Sequence, residues 1–262
     1  MRRLLDADFY CLRKSKLSLV MLIIAVTIPL FVVLVYVGLH FIAEQTAEEG
    51  MPPLGGLFSA RGILSGVFSL TGNIGIIFPI FAGIIIGADM TNGTLRNKVI
   101  IGHSKAKIYF SHLIVTIVFG IVTVTLYALV TLGFALVFFK YGVELTPEEV
   151  KNLVYFFVTG LLSYVFLSSV INAFALIFKT PAPTILISVL IGMGFGLISS
   201  LISLIDYSSF KYLVYLIPTF ANGQFQAGIS DVIFIEGTIS LIVFSLAFIF
   251  VGLGLFVKKD IK

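Results

Sequence analysis

Six long apolar stretches, at 18–40, 63–87, 108–139, 152–178, 183–205 and 232–257, fill most of the chain and carry almost no charge. A bilayer's hydrocarbon core is ~30 Å thick and a helix rises about 1.5 Å per residue, so roughly twenty apolar residues cross it. Backbone groups meet no water there, so each stretch must pair its own N–H and C=O groups as a helix. A membrane barrel would need alternating segments of about ten residues, and this sequence has none. The pattern predicts an all-α, polytopic membrane protein with six transmembrane helices.

The segments outside these stretches have patterns of their own. Residues 1–17 place Leu4, Leu5, Phe9 and Leu12 among Arg2, Arg3, Arg13, Lys14 and Lys16 at helical spacing. That spacing suits an interfacial amphipathic helix ahead of a single six-helix domain, 18–262, and its basic border suits anionic membrane lipids. A frayed basic flank is the alternative. The loop at 41–62 carries Glu44, Glu48 and Glu49 before Met51-Pro52-Pro53, where the first helix ends. Residues 206–231 have an apolar middle, Tyr212–Ile217, too short to span and interrupted by Pro218. A re-entrant or interfacial segment, covered by the spans, is expected there. Pro29 and Pro79 predict kinks in the first two spans.

Charge decides orientation. With six spans, the face carrying both termini collects all but Arg61, Lys140, Lys151 and Lys211 of the 17 basic residues. Basic loops stay in the cytoplasm, so both termini are expected to be cytoplasmic. Composition agrees, at 59% hydrophobic and 11% charged. The first apolar run is too long for a cleavable signal and lacks a small-residue cleavage site. The single cysteine, Cys11, excludes an intrachain disulfide.

Candidate chemistry is sparse. No Gly-x-x-x-x-Gly-Lys-Ser/Thr loop occurs, so the chain is expected to lack an ATPase site of its own, and no zinc-protease helix or Gly-x-Ser-x-Gly elbow occurs either. Glu148 and Glu149 are adjacent, but no Arg or His lies near them in sequence. His40, His103 and His112 have no acidic or cysteine companions at ligand spacing, so no metal site is expected. No Asp, Glu, Lys or Arg is securely placed within a span, unlike most ion-coupled transporters. Asn73 and Asn172 are the deepest polar candidates, either bonding between helices or lining a cargo path. Gly192 and Gly196 form a small-xxx-small pair, suited to packing within the chain or to a dimer seam. Nothing points to nucleic acid.

The longest polar stretch on the basic face is 88–107. Thr91 or Asn92 can cap a short helix whose Leu95, Val99 and Ile100 share a face; Gly102 can close it, and Ser104 can cap the next span. The run Asp89-Met90-Thr91-Asn92-Gly93-Thr94-Leu95-Arg96-Asn97-Lys98, followed by Gly102-His103-Ser104-Lys105, resembles the loop after the second span of type-2 ABC exporter permeases. That family shows an acidic residue, Gly-Thr-Leu-Arg, then Gly-x-Ser-Arg or Gly-x-Ser-Lys. Asp89 and Lys105 replace its more usual Glu and Arg with charge retained.

The resemblance implies a bacterial plasma-membrane permease without its own ATPase site. A separate cytoplasmic ABC ATPase would bind ATP and Mg, and a second permease, identical or different, would complete the pore. Residues 93–101 would form the coupling helix, with Asp89, Thr94, Leu95, Arg96, Lys98, Gly102 and Lys105 as its coupling residues. An apolar or amphipathic export cargo is expected: a peptide, a lipid-like molecule or a drug. An ATPase-linked immunity or sensor subunit and a stand-alone secondary transporter are the alternatives.

Overall fold

The computed structural model describes residues 1–46, 58–178, 180–202 and 217–258. The expectations for Glu48, Glu49, Met51-Pro53 and Tyr212 lie outside the described residues, which contain helices and no strand. The helices are α1 (Arg2–Lys14), α2 (Lys16–Thr46), α3 (Ala60–Leu64), α4 (Asn73–Thr91) and α5 (Thr94–Ile100). They continue as α6 (Lys105–Phe138), α7 (Pro147–Ile177), α8 (Pro181–Ile202), α9 (Phe220–Gly223) and α10 (Asp231–Lys258). Of these, α2, α6, α7, α8 and α10 are long and apolar enough to cross a membrane. A sixth crossing is counted if α4 and α5 are taken together as one bent span; the 19 residues of α4 reach about 28 Å. Helix α4 turns by 48° into the short α5. Pro29 and Pro79 lie inside continuous helices.

The second apolar stretch differs from the sequence expectation. Its first third is not helical: α3 stops at Leu64, and residues 65–72 run through successive tight turns before α4 begins at Asn73. Turn bonds join Val67 N–H to Leu64 C=O, Ser69 N–H to Gly66 C=O, and Gly72 N–H to Ser69 C=O. Serines and glycines offer the chain these alternatives to a helix. At Gly75 a Cβ would sit 2.5 Å from the Ser69 carbonyl oxygen, so only glycine lets the chain double back into α4. Apolar content alone could not reveal the break, because Leu64, Val67, Phe68 and Leu70 are still buried.

The protein is built around α7. In its most apolar window 61% of α7 is buried inside the protein, against 17% for α8, which makes α8 peripheral. Folded-in segment 65–72 packs on α7 through Phe68, whose ring lies over Gly160 and meets Phe156 edge-on at 4.9 Å. Residues 217–230 form a second folded-in segment, with Phe220, Phe225 and Ile229 buried and Phe225 stacked on Phe156 at 4.1 Å. Within the described part of the predicted 206–231 connection, Phe220, Phe225 and Ile229 thus pack inward while Gly223, Gln226, Ala227 and Ser230 stay exposed.

A Cβ at position 160 would lie 2.3 Å from the Phe68 ring. Gly160→Ala is expected to cost about 1–3 kcal/mol of stability through overpacking. Adding Phe68→Ala should relieve part of that loss. Thermal unfolding in detergent measures both; a Gly160→Ala protein as stable as the wild type would argue against this packing.

Candidate functional site

The chain end of α4, all of α5, the start of α6 and the middle of α1 meet at the basic face. Gly93, at φ 70°, turns α4 into α5 and stands as its N-cap, with no side-chain cap bond. Thr91 and Asn92, the expected caps, belong to α4's last residue and the turn after it. Gly102, at φ 96°, closes α5, and Ser104 Oγ accepts from Lys107 N–H to start α6.

Around α5 the expected apolar face splits. Leu95 is 1% exposed and Val99 packs on the same core, whereas Ile100 and Ile101 are 70% and 75% exposed. At about 100° per residue, position 100 lies far around the helix from position 95. The expectation that Leu95, Val99 and Ile100 share a face is thereby corrected. Arg96 and Asn97 are exposed and Thr94 is half-buried. Lys105 Nζ donates to the Val257 carbonyl at 2.9 Å, satisfying an orphan acceptor in the last turn of α10.

Lys98 points inward. Its Nζ lies 2.7 Å from Asp8 Oδ1, 3.4 Å from Asp89 Oδ2 and 3.1 Å from His112 Nε2. Ser111 Oγ donates to Asp8 Oδ2 at 2.6 Å. One ammonium thus joins α1, α4, α5 and α6. Sequence spacing gave His112 no acidic companions, but the fold gives it two: Asp8, Asp89 and His112 offer ligand atoms within 4.8 Å of one another. Lys98 Nζ lies within 3.4 Å of an atom of each of the three. A signal existed in the sequence: Asp8 falls between Leu4 and Leu12 at i and i+4 spacing, on the face that α1 buries.

A second polar cluster occupies the opposite end. Arg61 pairs with Glu149 twice, Nε to Oε1 at 2.8 Å and Nη2 to Oε2 at 3.3 Å. The guanidinium also donates to the carbonyls of Phe225 and Gln226, both at 3.1 Å. Asn152 Nδ2 donates to Phe225 C=O at 3.2 Å, and its Oδ1 accepts from Ile229 N–H at 2.9 Å. Burial, with the Glu149 carboxylate accepting its hydroxyl, raises the Tyr141 phenol above its ordinary pKa. Glu149 was expected to stand without an Arg; the corrected picture is a bidentate clamp holding α3 and the second folded-in segment to α7. Beside it, a polar cavity of about 240 Å³ is lined by Ser65, Ser69, Ser199, Thr219 and Asn222.

The remaining sequence candidates lie elsewhere. Asn73 is exposed at the start of α4. Asn172 is fully buried on α7, where its amide faces the Tyr109 hydroxyl. Neither residue lines the polar cavity just described. Gly192 and Gly196 face inward: Gly192 meets Leu167, and a Cβ at Gly196 would come within 2.5 Å of Thr71 Cγ2. Close helix approaches elsewhere use glycines not singled out from sequence: Gly252 of α10 against Ala173 of α7, and Gly83 and Gly87 of α4 against Ile185 and Pro181 of α8.

The short α5 follows the second apolar stretch, where the loop resemblance lies, but Leu95 and Lys98, expected there as contact residues, turn inward. Residues 4–196 match the family described as ABC-2 family transporter protein. The chain belongs to the ABC-2 transporter family. No individual curated protein matches it. The ABC-2 match reaches from α1 into α8 and so includes every residue of the Lys98 cluster. It identifies a multi-pass membrane protein of the transporter's membrane component.

The Lys98 and Asp8 side chains are 11% and 6% exposed, so removing one partner strands a buried charge. Lys98→Met is expected to cost about 3–5 kcal/mol. Combined with Asp8→Asn it should cost less than the sum of the single changes, with a coupling of ~1–3 kcal/mol. Denaturant unfolding in detergent measures the cycle; strictly additive losses would mean that this pair does not join the helices.

Proposed function

We propose that this chain is the permease subunit of an ABC exporter in the plasma membrane. Its basic face, with both termini and α5, lies in the cytoplasm, as the distribution of Lys and Arg favours. A separate ABC ATPase, which binds ATP and Mg, docks on α5, and a second permease completes the pathway. The cargo is apolar or amphipathic, in keeping with spans that place no charged residue in their central apolar stretches.

One observation carries this reading: α5 is a seven-residue helix whose outer surface presents Arg96, Ile100 and Ile101 while Lys98 and Leu95 anchor it from within. Two adjacent isoleucines exposed beyond the spans need a partner to cover them. Within the match to the transporter family, an ATPase groove is the partner that fits. The coupling residues divide accordingly. Arg96, with Ile100 and Ile101, makes the contacts; Leu95, Lys98 and Asp89 hold the helix in place; Gly102 sets the turn.

Ile100→Asp with Ile101→Asp, or Arg96→Glu alone, should abolish co-purification with the ATPase subunit and its stimulated ATP hydrolysis. Membrane insertion and thermal stability should stay unchanged. Leu95→Asp should instead lower the yield of folded protein, since that side chain is buried. Retention of both ATPase binding and stimulation by the Ile100/Ile101 double variant would overturn the docking assignment.

A further inference from the structure

Between α1, α4 and α6 lies a cavity of about 200 Å³ with two chemically different ends. Its body is apolar, walled by Leu12, Ala82, Ile85, Ile86, Val115 and Phe119. Its polar end is formed by Asp8, Asp89 and His112. Asp8 is satisfied, with Lys98 and Ser111 at 2.7 and 2.6 Å. Asp89, 27% exposed, has only long contacts within the protein, 3.4 Å to Lys98 and 3.5 Å to His112, and both use Oδ2. Two carboxylates face one ammonium, so with a neutral imidazole the polar end carries one excess negative charge.

A carboxylate short of partners at the end of an apolar cavity selects a cation, and the apolar walls select hydrocarbon. We propose that this cavity binds an ammonium group carried on a short hydrocarbon tail, with Asp89 accepting hydrogen bonds from the ammonium. Size limits the tail. A cavity of about 150 Å³ lined by apolar side chains holds benzene, so this one takes a chain of roughly six to eight carbons. Anions are disfavoured by the excess charge. A neutral alcohol leaves the carboxylate uncompensated. This site is separate from the exposed surface of α5 and does not depend on the exporter reading.

The protein carries its own reporter. Cys11, its single cysteine, is exposed and lines the same cavity beside Ser15 and Leu17. The experiment follows maleimide alkylation of Cys11 by mass spectrometry, with the full chain in phosphatidylcholine nanodiscs. Hexylamine should slow the reaction saturably, about fivefold at four times its dissociation constant if only the free protein reacts. Hexanol and hexanoate should protect far less. Asp89→Asn should remove the protection, whereas Asp6→Asn, on the exposed face of α1, should keep it.

Ala82→Leu fills the apolar body without altering any charge and should also remove protection, which decides the matter if Asp89→Asn folds poorly. Nanodiscs containing phosphatidylethanolamine separate two sources of the same chemistry. Protection there without added amine, lost on Asp89→Asn, makes the ligand a lipid ammonium headgroup; its absence makes it a soluble amine. Equal protection by hexanol, or undiminished protection in Asp89→Asn or Ala82→Leu, would overturn the proposal.

Discussion

A peptide group in hydrocarbon has no water to bond, and that constraint governs this fold. Long apolar helices meet it internally. Two segments do not: the turns at 65–72 and the stretch 217–230 bring irregular backbone to the end of the bundle opposite the termini. The turns at 65–72 bond within themselves, whereas the stretch 217–230 is satisfied from α7 and α3. Asn152 bonds both the Phe225 carbonyl and the Ile229 amide, and Arg61, fixed by Glu149, takes the Phe225 and Gln226 carbonyls. Thr159 and Ser163 bond the Asn222 side chain. The polar residues along α7 are the means by which an irregular roof is tolerated on a membrane bundle.

The charged clusters occupy the two ends of the bundle for a related reason. An ionised group at the bilayer centre is expensive, whereas at a helix end a pair can form while part of it reaches water. At one end Arg61 and Glu149 tie α3 and the stretch 217–230 to α7. At the other, Lys98 binds α1, α4 and α6 through one ammonium. The second arrangement has a mechanical consequence. The short helix bearing Lys98 cannot shift without dragging, or breaking away from, three neighbours at once. Under the proposed function, a push delivered to its exposed isoleucines would be shared among elements far apart in sequence.

Much of the architecture was legible in the amino-acid sequence because a span needs nothing but its own residues: length and low charge suffice. The basic N-terminal helix and the turn at Gly102 were legible for the same local reason. The break in the second apolar stretch was not, because Phe68 and Leu70 are as apolar as span residues. Their non-helical path depends on Gly160 and Gly75 leaving room. The division of α5 into a buried side with Leu95 and an exposed side with Ile100 also depended on the direction from which α4 and α6 approach.

By itself, then, the sequence determined that this chain is a helical membrane protein of the ABC-2 kind, since hydropathy and a short loop motif are local properties. Only the tertiary structure decided which charges meet. Asp8 and Lys98 are separated by 90 positions, and Arg61 and Glu149 by 88. A side chain's partner across such a distance is set by helix packing, which no local pattern encodes.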